Sequence, residues 1–199
     1  MSPSTRFDTD RNGNFQVLWE DGDRVFCRRW RAGADGNCST VLAVSPATQH
    51  RGHATLDLLI HEYGLKDDLD GTWAARPLEL IREGDRTTLL LEDSGGEPLD
   101  LHLTTPMDVG RFLHFAVSIA VALGRLHRSG LVHKDIKPAN ILVNQATGAV
   151  KLTGFGIASH IPRERQVPAP PEFIAGTLAY MAPEQTGRMN RSIDSRCDL

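Results

Sequence analysis

Asp135, Lys137 and Asn140 lie within His133-Lys134-Asp135-Ile136-Lys137-Pro138-Ala139-Asn140, which runs directly into the apolar pair Ile141-Leu142. A carboxylate, an ammonium and an amide at this spacing, in a loop stiffened by Pro138 and anchored by apolar neighbours, converge on one small volume. Such a loop suits phosphoryl transfer. Asp135 orients a hydroxyl nucleophile and takes its proton, Lys137 neutralises charge on the moving phosphoryl group, and Asn140 offers an amide oxygen to Mg²⁺. The competing reading, a polar surface loop between a helix and a strand, needs three correctly spaced polar groups to coincide by chance.

The stretch resembles the catalytic loop of protein kinases, with Lys134 where an arginine is usual. Gly154-Phe155-Gly156 resembles the start of that family's activation segment and Ala182-Pro183-Glu184 its end. Lys137 and the pair Gly176-Thr177 resemble the serine/threonine branch. The resemblance implies an α+β, two-lobed fold: a β-rich N-lobe over residues 1–91, a hinge over 92–97, and a helical C-lobe over 98–199 that is cut short. It implies ATP and Mg²⁺, and either a protein substrate or a regulatory protein partner. Asp135 and Lys137 then carry catalysis. Ala43, Leu91, Glu92, Ser94, Asn140, Phe155 and Gly156 contact the nucleotide, and Asn140 is a weak metal ligand.

Three departures from the family pattern bear on activity. Only Gly22 stands where a three-glycine phosphate loop is usual. Ser45 follows Leu42-Ala43-Val44 where the ATP-positioning lysine belongs, and the chain has no lysine before Lys66. Gly154 replaces the aspartate that holds Mg²⁺ between the phosphates, so Mg²⁺ use is in doubt. An active serine/threonine kinase and a pseudokinase serving as a regulatory module are the two readings that follow. Gly154-Phe155-Gly156, the degenerate N-lobe and Glu62-Tyr63 also resemble the N-terminal kinase-like domain of very large bacterial sensor histidine kinases, which implies further domains after Leu199.

Positioning such a site takes one good core, which 199 residues with 40% hydrophobic content can bury. With 22 basic and 25 acidic residues, net charge −3, there is no global field favouring nucleic acid or an anionic membrane. Cys27, Cys38 and Cys197 lack metal-type pairing and fit reduced, buried thiols in a cytoplasmic protein. The polar opening, Met1 to Asn14, has no secretory core, and the apolar stretch Phe115 to Leu123 is too short to span a bilayer, so no membrane insertion is expected.

Along the chain, Val17 to Arg31 reads as a hairpin turned at Glu20-Asp21-Gly22-Asp23, and Thr40 to Val44 as a central strand. Leu56, Leu59, Ile60 and Tyr63 fall at helical spacing within Ala54 to Leu65. Glu62 in that helix resembles the glutamate that pairs with the missing lysine, but a solvated helix-face glutamate is the expectation. His50, His53 and His61 read as surface residues. Trp73 to Ile81 and Thr87 to Leu91 are strands turned at Glu83-Gly84-Asp85, followed by the hinge. Met107 to Ser129, apolar on most faces, reads as a buried helix. The resemblance qualifies this, because the C-lobe helices that cover part of it would lie beyond Leu199. Residues 162–173 are proline-rich and read as an extended activation loop, and His160 to Gly176 holds no serine, threonine or tyrosine for a mid-loop phosphate.

Overall fold

Strand β3, Cys38–Pro46, carries the β-branched run and lies at the centre of a five-stranded antiparallel sheet. The computed structural model describes residues 15–22, 24–32, 38–47, 53–84, 86–161, 175–188 and 192–199. The polar opening up to Asn14, His50 and the proline-rich loop at 162–173 lie outside the described residues. Strands β1, Phe15–Asp21, and β2, Arg24–Ala32, form the expected hairpin, with a bulge between Val17 and Trp19. Strands β4, Pro77–Glu83, and β5, Arg86–Glu92, form the second, giving the order β1-β2-β3-β5-β4. The segment Trp73 to Arg76 is not part of β4. After the Asp70-Gly71-Thr72 turn, Trp73 and Ala75 exchange backbone hydrogen bonds with Leu152 at 2.8 Å, tying the sheet to the second half of the chain.

Strand β3 is flanked by β2 and β5, and Val41 to Val44 are all buried. Leu42 and Val44 pack with Trp19, Phe26, Leu89, Leu91, Leu142 and Leu59 of helix α1, His53–Gly64. Val41 and Ala43 point the other way, toward Leu90 and Ile81. This alternation corrects the sequence reading at two positions. Ser45 shares the outer face with Ala43, bonding the Thr88 hydroxyl at 2.9 Å, and Val44 is the residue turned toward α1. Ala43 therefore does not face the cleft, where Leu42 stands instead.

After β5 come β6, Glu97–Pro98, and the long helix α2, Val109–Arg128, capped by the Asp108 side chain accepting from Arg111 N at 3.0 Å. Strands β7, Leu131–Val132, β8, Ile141–Val143, β9, Val150–Leu152, and β10, Ser159–His160, complete two small sheets, β6-β8-β9 and β10-β7. Phe115, Ala122, Leu123 and Leu126 of α2 join a core with Trp73, Leu131, Leu152 and Phe155. The expected all-round burial of α2 does not hold. Its opposite face exposes Val109, Phe112, Leu113, Val117 and Val121, because only one side packs on the small sheets among the described residues. At 20 residues this helix is long and apolar enough to cross a membrane by length and composition, unlike the shorter stretch weighed above, though its buried side is built into a folded core.

Candidate active site

The loop between β7 and β8 is held in shape from three sides. Lys134 adopts φ +69°, a left-handed conformation that a lysine adopts only when its surroundings impose it. Asp198 imposes it. This buried carboxylate, in a 3₁₀ turn at Ser195–Asp198, accepts from His133 N at 2.9 Å, Lys134 N at 2.8 Å and His127 Nε2 at 2.9 Å. On the second side, Gln185 Nε2 donates to the Lys134 carbonyl at 2.7 Å, joining the end of the activation segment to the loop.

His133 supports the loop from beneath. Its Nε2–H donates to the Thr153 carbonyl at 3.0 Å, and its Nδ1 accepts from Asp135 N at 3.2 Å. Those two bonds fix one neutral tautomer. Burial pushes the imidazole pKa down, consistent with the neutral ring, and Phe155 packs against it at 4.7 Å.

On this frame Asp135, Lys137 and Asn140 do converge. Asn140 Nδ2 donates to the Asp135 carbonyl at 2.8 Å and to Asp135 Oδ2 at 2.9 Å. Lys137 Nζ lies 3.6 Å from Asp135 Oδ2. The hydroxyl of Thr177 donates to Asp135 Oδ1 at 2.8 Å, so a hydroxyl already sits on the candidate base.

Two residues from the first hairpin, Asp21 and Arg24, enter the same site. Arg24 Nη2 donates to Asn140 Oδ1 at 3.1 Å and pairs with Asp21, whose Oδ1 also accepts from Lys137 Nζ at 3.2 Å. Neither was singled out as functional from sequence. The available signal was that β2 opens with a charged residue directly after the turn, on the strand face that Phe26 and Val44 share. A cavity of about 260 Å³ lies between them, lined also by Asp135, Gly154, Gly156 and Thr177.

Glu62 corrects the expectation of a solvated side chain. It is 2% exposed, and its Oε1 accepts from Gly154 N at 3.2 Å, with the Phe155 N–H also contributing. The turn after β9 leaves these backbone donors facing α1, and the carboxylate satisfies them. Burial pushes the Glu62 carboxyl pKa up, against the opposing pull of Arg24 and the two N–H groups. Below the ordinary glutamate range the group is protonated whether the chain is folded or not. As pH rises, the unfolded chain ionises first, so this group lowers native stability from the unfolded pKa up to the raised folded one, and the loss persists above it. Glu62→Gln is therefore expected to gain melting temperature relative to the parent as pH rises from about 4 to about 8. A difference that stays flat across that range would show that Glu62 is not strained.

The position expected to hold Mg²⁺ lies at Asn140, beside Gly154. Asn140 Oδ1, the neutral oxygen assigned to it, already accepts from a guanidinium. Gly154 brings no carboxylate, and at φ +80° a Cβ there would stand 2.6 Å from Asn140 Oδ1. Restoring an acid at 154 thus requires the Asn140 amide to move. Phe155 is fully buried, edge-on to Trp73, and Gly156 passes so close to α1 that a Cβ would meet the Leu58 Cβ at 2.9 Å.

At the hinge, Leu91 is buried on the cleft side. Glu92 pairs with Arg76 at 2.9 Å, and the Ser94 carbonyl accepts from Asn144 Nδ2 at 2.8 Å. Trp19 stacks on Phe26 at 4.5 Å in the buried cluster that also holds Leu42, Leu91 and Leu142. Trp19 Nε1 is buried there without a hydrogen-bond partner, as is Thr153 Oγ1 elsewhere. An unsatisfied buried donor costs about 1–3 kcal/mol.

A β-rich first half and a second half built around one long helix, with an aspartate, a lysine and an asparagine converging on one loop, define a phosphotransferase-type architecture. The chain belongs to the protein kinase domain family, whose sequence profile matches residues 45–199. It is similar to bacterial serine/threonine-protein kinases. It is 33% identical over 169 residues to PknA of Mycobacterium tuberculosis, covering 82% of this chain and 32% of that protein. It is 36% identical over 121 residues to Pkn1 of Myxococcus xanthus, covering 57% and 16%, and 35% identical over 99 residues to PknB of M. tuberculosis, covering 50% and 15%. The aligned stretches thus span a third or less of these relatives. Family membership implies ATP as phosphoryl donor, with Mg²⁺ usual.

Proposed function

We propose that this kinase domain is impaired in phosphoryl transfer and acts as a regulatory, protein-binding module in a cytoplasmic bacterial signalling protein, with further domains on the same polypeptide, as in the large sensor histidine kinases it resembles. The observation that carries the reading is the Arg24 guanidinium on Asn140 Oδ1 beside Gly154, where a kinase needs two oxygen ligands for Mg²⁺. Losing one preorganised charge-stabilising group costs about 10²–10³ in rate. Loss of both the metal's aspartate and the strand lysine reaches roughly 10⁴–10⁶ if the effects add, against an ordinary kinase turnover of about 1–100 s⁻¹.

Nucleotide affinity in this reading rests on Leu91 and the hinge backbone at Glu92 and Ser94. Mg²⁺ should matter little. ATP titrated calorimetrically into the chain, with Mg²⁺ and then with a chelator, is expected to give affinities within a few-fold of each other. A tenfold or greater gain with Mg²⁺ would mean that another group holds the ion and would revive full kinase activity. The second reading, retained transfer, is favoured by the Thr177 hydroxyl seated on Asp135.

A further inference from the structure

The cluster of Asp21, Arg24 and Lys137 has a composition that the catalytic loop alone does not explain. Two cations, each with only 13% of its side chain exposed, converge on a single carboxylate from a different element. Burial pushes the Asp21 carboxyl pKa up, but Arg24 and Lys137 outweigh it and hold it below the ordinary aspartate range. A carboxylate between a guanidinium and an ammonium makes the contacts a phosphate oxygen would make. The cavity these residues line also contains Asp135, Gly154, Gly156 and Thr177, so it opens directly onto the candidate base.

Strand register explains how Arg24 comes to be there. Phe26 lies opposite Val44, and Arg24 comes two residues before Phe26, so Arg24, Phe26 and Val44 share the cleft-facing side of the sheet. The apolar side chain of Val44 leaves the inner face of β3 without a cation at the place nearest α1. The guanidinium of Arg24 reaches over the Phe26 ring, 5.4 Å from its centroid, and fills that space. Its charge also acts on Glu62, the α1 carboxylate. One residue from β2 therefore supplies positive charge in the region where the sequence has neither the strand lysine nor an aspartate at Gly154.

We propose that Arg24 and Lys137 form a metal-independent binding site for the polyphosphate tail of a nucleotide, and that the Asp21 carboxylate occupies this site until the ligand displaces it. Only the identity of the ligand rests on the nucleotide reading given above. The cation pair itself is a site for any compact polyphosphate. Asp21 and Arg24 are the last pair of the β1–β2 ladder, so rotation of the Asp21 side chain frees the two cations and leaves the ladder in place.

The test uses calorimetric titration of the chain with ATP, adenosine and inorganic tripolyphosphate, all with a chelator present. Arg24→Gln is expected to weaken ATP and tripolyphosphate at least tenfold and to leave adenosine unchanged. Arg24→Lys should recover part of the loss. Asp21→Asn should strengthen both phosphate ligands several-fold, because it removes the internal competitor while keeping the shape of the turn. Thermal melting of each variant separates loss of the site from loss of the fold, and opposite responses at Arg24 and Asp21 cannot arise from general destabilisation. Unchanged ATP and tripolyphosphate affinity in Arg24→Gln overturns the proposal even if adenosine binds. If adenosine and ATP both fail to bind, the nucleotide reading falls. Tripolyphosphate then decides the site: binding lost in Arg24→Gln upholds it, and no binding to the parent chain overturns it.

Discussion

Asp198→Ala is expected to lower the melting temperature by about 6–20 °C and to release the loop that carries the candidate base. The side chain is buried and accepts hydrogen bonds from His133 N, Lys134 N and His127 Nε2, and a longer one from Cys197 Sγ at 3.8 Å. Removing one partner from a buried charged network costs about 3–5 kcal/mol, and each kcal/mol moves the midpoint of a domain this size by about 2–4 °C. Lys134 should then leave its left-handed conformation, since the bond that imposes φ +69° is gone. Thermal unfolding followed by circular dichroism reads the first effect, and hydrogen exchange at residues 133–137 the second. A shift of less than about 2 °C would show that water replaces the carboxylate and that the loop is held from elsewhere.

Asp135→Asn tests the other reading of the site. If the full-length protein transfers phosphate to protein hydroxyls through this domain, the substitution should reduce the rate about 10²–10⁴-fold, the range expected for losing a positioned general base. The fold should survive. An asparagine at 135 still offers an oxygen to Asn140 Nδ2, and the backbone carbonyl that accepts the other bond is unaffected. A variant that melts with the parent but transfers no phosphate assigns the chemistry to Asp135. Unchanged transfer would place the activity in another module of the polypeptide.

Much of the site was legible in sequence because its parts are local. Asp135, Lys137 and Asn140 lie within six residues of one another, and the proline and apolar neighbours that shape their loop are contiguous with them. The hairpins, the central strand and both helices followed from periodicity and turn residues, since those signals depend on neighbours a few positions apart. The absence of an aspartate at 154 was equally plain, because the glycine sits inside a recognisable triplet.

Tertiary structure alone decided what those signals do not encode. Which face of β3 meets the cleft depends on how the sheet docks against α1 and Leu142, and a strand's two faces differ by a single residue of register, so Leu42 and Val44 took the places read for Ala43 and Ser45. The burial of Glu62 depends on two backbone N–H groups 92 residues or more away in sequence. Asp198 meets the loop across a separation of 65 residues, and Arg24 meets Asn140 across 116. A charged side chain reads as solvated until folding brings it a partner, and for Glu62, Asp198, Asp21 and Arg24 the partner comes from a distant part of the chain.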